Sequence, residues 1–277
     1  MTDTALTNGQ IVDGTGAVLS SATLLIQDST IVAIGPTASV PFPQGCRVID
    51  VQGKTVLPGL MDGHMHVTGM PGRLDATANL RAQLRASDIM RECLLWGTTT
   101  VGHAGGCNEN LALRDMIDER ALPGRARLLV SGVVTATGGH VRGEGVDGPW
   151  EIRKTVRRMA LDGMDFIKTC ATGGFQWAHE GLGTPDYTLE ELQALVDEAH
   201  MRGRRVHVHA HAQPGIHNAI EAGCDVILHG ADIDAAALEG IAAKGLIYMP
   251  TLYITSEHIW GPGTLPEHMT TRMKAAC

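Results

Sequence analysis

Two histidines one residue apart, His64 and His66, close the stretch Pro58-Gly59-Leu60-Met61-Asp62-Gly63-His64-Met65-His66, which follows the apolar run Lys54-Thr55-Val56-Leu57. Side chains at i and i+2 of a strand point the same way, so this pair can offer two imidazoles to one metal ion. A lone His-x-His is a weak motif, more often two ordinary surface or core histidines, and a metal reading needs further ligands. Three segments offer them. Asp165-Phe166-Ile167-Lys168-Thr169-Cys170-Ala171-Thr172-Gly173-Gly174 is a short apolar strand with a lysine inside it, and an interior lysine is unfavourable unless paired with a buried acid or chemically altered. Val206-His207-Val208-His209-Ala210-His211 places three histidines on one face, of which one or two can reach a given metal while the others meet substrate or a carboxylate. Asp225-Val226-Ile227-Leu228-His229-Gly230 is an apolar strand ending in His-Gly, and its histidine, a hydrogen-bonded core residue if alone, becomes a ligand candidate in this company. Neutral imidazoles suit zinc and similar divalent ions, and the chemistry such a set supports is metal-assisted hydrolysis.

The elements that must position these residues fall into two parts, 1–55 and 56–277. In the first, Gln10 to Val12, Ala22 to Ile26, Thr30 to Gly35 and Arg47 to Val51 read as short strands of a small β-module. From Val56 onward strand-like and helix-like segments alternate, the pattern of βαβ units and a parallel sheet. Seven barrel strands are predicted: 56–66, Thr98 to Ala104, Arg127 to Gly132, Phe166 to Ala171, Arg205 to Ala210, Val226 to Gly230 and Leu246 to Leu252. Helices fall between them. The clearest run from Thr188 to Arg202, with acidic Glu190 and Glu191 behind a Thr cap, and from Pro149 to Leu161, with Ile152, Val156 and Met159 at helical spacing. The fold class expected is α/β, a TIM-type (β/α) barrel whose active site gathers at the carboxyl ends of the strands. After Leu252 a polar, Gly- and Pro-containing, helix-like tail leads to Cys277, so an eighth strand is not predicted and two sheet edges are left open to self-association as a homo-oligomer.

Composition narrows the partners. With a net charge of −8 and acidic and basic residues interspersed, the 277-residue chain lacks the clustered Lys and Arg of a nucleic-acid surface. Hydrophobic content of 44% comes without a run long enough to span a bilayer, and the start MTDTALTNGQ has no secretory pattern, so a cytoplasmic location is the default and no membrane role is expected. Six cysteines, at 46, 93, 107, 170, 224 and 277, form no C-x-x-C pair and suggest neither a zinc ribbon nor a disulfide framework.

Taken in order, the N-terminal β-module, PGLMDGHMH, GTTTVGHAGG, TGGH at 137–140, FIKTCATGG, HVHAHA and LHG resemble the amidohydrolase superfamily. Within it, the likeness is to the metal-dependent Xaa-Pro and Xaa-Lys/Arg dipeptidase branch, near imidazolonepropionase-like and ochratoxin-hydrolysing enzymes. The resemblance implies a binuclear centre: His64 and His66 on the more buried ion, Lys168 carboxylated by CO2 and bridging, His209 and His229 on the second. It implies two divalent ions, zinc foremost, activating a bridging hydroxide against an amide carbonyl. His211 and His140 are the candidates for holding the substrate carbonyl or carboxylate, ahead of His207. The substrate class implied is a dipeptide or N-acyl amino acid, with cyclic-amide hydrolysis or deamination, or service as an inactive structural subunit, as alternatives. Two positions depart from the family pattern. Members often carry Arg-Asp where this chain has Gly102-His103, so His103 is expected to support the site and not to ligate. The family's catalytic aspartate on strand eight has no counterpart either: Asp232 and Asp234 follow strand six too closely, which implies a truncated form or another recruited carboxylate.

Overall fold

Alternation decides the first sheet. Along β1 (Thr4–Val12) the side chains of Ala5, Thr7 and Ile11 turn inward with Gly9 in the same phase, the period of a half-buried strand. In the computed structural model, which describes residues 3–68, 75–178, 180–254, 256 and 265–276, β1 pairs antiparallel with β2 (Val18–Gln27). β2 pairs antiparallel with β3 (Thr30–Pro36), and β4 (Arg47–Asp50) and β5 (Thr55–Val56) run parallel to β1. Two small clusters hold this sheet, Ala5 with Leu25 and Val40, and Ile11 with Ala22 and Leu24. The chain separates into two compact units, Met1–Leu60 and Met61–Cys277. The segment predicted as one barrel strand from residue 56 is divided: Thr55 and Val56 belong to the first sheet, and β6 begins only at Leu60 (Leu60–Met65). Pro58 explains the break, since it has no N–H to give to a ladder.

From β6 onward every strand is followed by a helix. β7 (Thr98–His103), β8 (Arg127–Val134), β9 (Phe166–Cys170), β10 (Arg205–Ala210), β11 (Val226–His229) and β12 (Ile247–Met249) continue from β6 in sequential order, and the paired strands run parallel. The α-helices of the described residues are α1 (Ala76–Leu95), α2 (Asn108–Asp118), α3 (Pro149–Leu161), α4 (Leu189–Met201), α5 (Gly215–Ala222), α6 (Ala235–Lys244) and α7 (Glu267–Ala276). These seven parallel strands form a nearly closed TIM-type barrel. Its last strand reaches its first through a side chain: a Cβ built on Gly63 would lie 2.6 Å from Met249 Cε.

Caps define the helix starts. Asp75 accepts from Ala78 N, Asp234 from Ala237 N, and Thr188 forms a reciprocal capping box with Glu191. Ile152, Leu195 and Ile216 from α3, α4 and α5 pack on Ile167, Val208 and Ile227 of the sheet, and a second cluster joins Met90, Val101, Leu128 and Val130. Each such side chain contributes about 1.5–3 kcal/mol by leaving water. β12 is shorter than the predicted Leu246 to Leu252, because Thr251 takes a left-handed φ of 50° that an extended strand cannot hold. No helix among the described residues is long and apolar enough to cross a membrane. Part of the predicted C-terminal tail, residues 255 and 257–264, lies outside the described residues.

Candidate metal-binding active site

Imidazoles collect where the strands end. His64 lies on β6 and His66 one residue beyond it, His209 is near the end of β10 with His211 just past it, and His229 terminates β11. The loop after β8 brings His140. The rings form one continuous group: His64 is 5.2 Å from His66 and 5.0 Å from His229 between centroids. His229 in turn is 4.5 Å from His209 and 4.9 Å from His211, and His140 stacks on His209 at 4.1 Å. One ring nitrogen each from His209, His211 and His229 lie within 4.8 Å of one another, which makes His211 as well placed for an ion as the other two. His207 stands apart, its ring 4.3 Å from Phe166.

Lys168 is inside the barrel with 3% of its surface exposed, in a strand whose five residues are all buried. Its Nζ donates to Thr169 O at 3.3 Å, and among the described residues it has no ion pair with a carboxylate. Burial lowers its pKa, opposed by the charges of Cys170 and Asp186. The plain alternative for an interior lysine, a salt bridge, is therefore not what the geometry provides.

Burial, followed by the Lys168 charge, lowers His64 to about 2 and His66, part of whose surface is exposed, to about 4. His211 falls to about 3 through burial and the neighbouring His140. His209 and His229 are pushed well below the usual histidine value, again by burial first and then by adjacent imidazoles. All five are neutral near pH 7, the form that ligates metals. Among the described residues, the Nδ1 atoms of His64, His207 and His211 are buried without a hydrogen-bond partner, a state that ordinarily signals a missing ion or water. Neutral, convergent imidazoles, His64 and His211 with an unpartnered Nδ1, beside a lysine that has no carboxylate partner among the described residues fit a divalent ion of the zinc type.

The surroundings fix which ring atoms are free. Thr251 Oγ1 lies 2.7 Å from His229 Nδ1, leaving Nε2 for a ligand, and Gly173 O sits 3.3 Å from His209 Nε2. His64 N donates to Asp62 Oδ1 at 3.0 Å. His103 is fully buried, with Nδ1 3.3 Å from Val67 N and 3.2 Å from Met65 O, and Nε2 3.0 Å from Thr68 Oγ1. It thus fastens the segment that carries His66, from a ring distance of 6.4 Å. Asp232 donates its N–H to His211 O, and the Asp234 carboxylate caps α6 and bonds His217 Nε2 at 3.0 Å. Two acids absent from the sequence reading stand against His140: Glu180 Oε2 is 2.9 Å from its Nδ1, and Asp186 Oδ2 accepts from its N at 2.8 Å. Their signal was their place after β9, where a barrel's loops return to the site.

A β/α barrel that brings histidines at the carboxyl ends of its strands together beside a buried lysine carries the donor set for a divalent metal ion. Residues 55–269 match the model of the amidohydrolase family, and the chain belongs to that family. It is 28% identical over 282 residues to an ochratoxinase of Aspergillus niger, an alignment covering 88% of this chain and 57% of the relative. An enamidase of Eubacterium barkeri is 28% identical over 212 residues, 76% of this chain and 50% of that protein. The chain therefore spans about half the length of these curated relatives. Among solved structures, a Xaa-Pro dipeptidase with methionine bound in its active site superposes with a TM-score of 0.86 at 28% identity, covering 99% of this chain and 74% of that one.

Proposed function

We propose that this barrel hydrolyses C–N bonds with bound divalent metal, acting on the peptide bond of a dipeptide or on an N-acyl amino acid. The observation that carries the proposal is the convergence of neutral imidazoles on strand ends beside a buried lysine that has no carboxylate partner among the described residues. His64, His66, His209 and His229 would hold two ions, with Lys168 between them. Burial favours the neutral amine of Lys168, which adds to CO2 with loss of one proton and becomes an anionic carbamate suited to bridging two cations. Bound zinc, the preferred ion for such a donor set, would polarise the scissile carbonyl and acidify a water molecule. His211 and His140 hold the substrate carbonyl or carboxylate. Similarity to a Xaa-Pro dipeptidase supports the dipeptide class, while similarity to an enamidase keeps cyclic amides on the substrate panel.

A second arrangement is favoured by one distance. Because ring nitrogens of His209, His211 and His229 fall within 4.8 Å, these three could hold a single ion, removing His211 from substrate binding. Metal analysis of the purified chain, paired with hydrolysis of dipeptides, N-acyl amino acids and cyclic amides, separates the two. Close to two ions per chain, falling to one or none in Lys168→Ala, supports the bridged pair. One ion, retained in Lys168→Ala and lost in His211→Ala, supports the three-histidine site.

A further inference from the structure

We propose that Glu180 is a positioning residue for His140, holding the proton on Nδ1 so that Nε2 is the nitrogen presented to the substrate. Within the imidazole cluster, His140 is the one ring with a carboxylate on it among the described residues. Glu180 and His140 are 7% and 11% exposed, and their 2.9 Å contact is sheltered from water. The second carboxylate oxygen is also committed, Oε1 accepting from Trp177 N at 2.9 Å. Burial raises the Glu180 pKa, but hydrogen bonds from His140 and Trp177 outweigh it and hold the carboxyl below its ordinary value. An ionised carboxylate only accepts, so the ring nitrogen that faces it carries hydrogen. Nε2 then remains, and it makes no hydrogen bond within the described residues.

The rest of the setting keeps that ring from turning. It stacks on His209 with 17° between the planes, its backbone N donates to Asp186, and its carbonyl accepts from Trp177 Nε1 at 2.9 Å. Gly174 packs so close that a Cβ there would be 2.5 Å from His140 Cε1. The segment bearing Glu180 is fastened in turn by α7, where Arg272 donates to Trp177 O at 2.6 Å and Ala178 O at 2.9 Å. To hold an anionic substrate oxygen at Nε2, the ring would take up one proton from solvent and lie as an imidazolium between two anions, with no covalent change.

The kinetic part of this inference rests on the hydrolase reading, but a spectroscopic part does not. In protein carrying 15N-labelled histidine, with the His140 signals assigned by their loss in His140→Ala, Nδ1 is expected to be protonated. That state should persist in Glu180→Gln, whose amide oxygen still accepts, and give way to the Nε2–H form in Glu180→Ala. Glu180→Ala should lower kcat/KM on the order of 10- to 100-fold at unchanged metal content. In a His140→Ala background the same change should alter kcat/KM by less than about twofold, because Glu180 acts only through that ring. An unprotonated Nδ1 in the native protein, or an undiminished Glu180→Ala effect without His140, would overturn the proposal. If no substrate on the panel turns over, the hydrolase reading fails by itself and the nitrogen spectrum still decides the role of Glu180.

Discussion

The decisive property of the site residues is the charge they do not carry. His64 and His211, lowered from 6.5 to about 2 and about 3, stay neutral in the folded chain across most of the acid range. In the unfolded chain the same imidazoles take up protons as pH falls through about 6.5. The unfolded state therefore binds more protons below that point, and stability drops as pH falls. The metal-free protein should show a constant denaturation midpoint above pH 6.5 and a falling one from pH 6.5 toward 4, by urea titration followed with circular dichroism. His211→Asn should flatten that slope. A midpoint indifferent to pH over this window would mean that these histidines are not buried neutral groups.

Strands decide whether those residues meet. Gly102 of β7 lies so near β6 that an added Cβ would stand 2.8 Å from Gly63 O, a backbone atom that cannot swing aside. Gly102→Ala should displace β6 and the His64 it carries, weakening metal affinity on the order of 10- to 100-fold while the helical circular dichroism signal is kept. The helix ends are a separate matter: Thr188→Ala removes the box that closes α4 and should destabilise by about 1 kcal/mol without touching metal binding, as equilibrium unfolding would show. What was readable in the sequence follows the same division. Strand periodicity placed His64, His66, His209 and His229 near strand ends and Lys168 inside a strand, the family resemblance joined them into one ligand set, and the structure brings the four imidazoles together. Glu180 and Asp186 were not legible, because they reach His140 from a loop about 40 residues away and loops carry no period. The joining of His211 to His209 and His229 depends on where β10 stops, which alternation does not state. Likewise the break at Pro58 and the left-handed Thr251 are single-residue events that shorten strands the pattern would prolong.

At the scale of the molecule, seven consecutive parallel strands bring segments from Leu60 to Met249 into one barrel, and membership of the amidohydrolase family spans residues 55–269. We propose that this barrel holds divalent metal against a C–N bond. If the ions complete the site, they also stabilise the fold by mass action, so stripping them with a chelator should lower Tm and returning zinc should restore it. Metal content of the purified, folded chain measured by inductively coupled plasma mass spectrometry tests the claim most directly. Close to two divalent ions per chain are expected, reduced by at least one in Lys168→Ala. A well-folded chain that retains none and takes up none when zinc is supplied would contradict it.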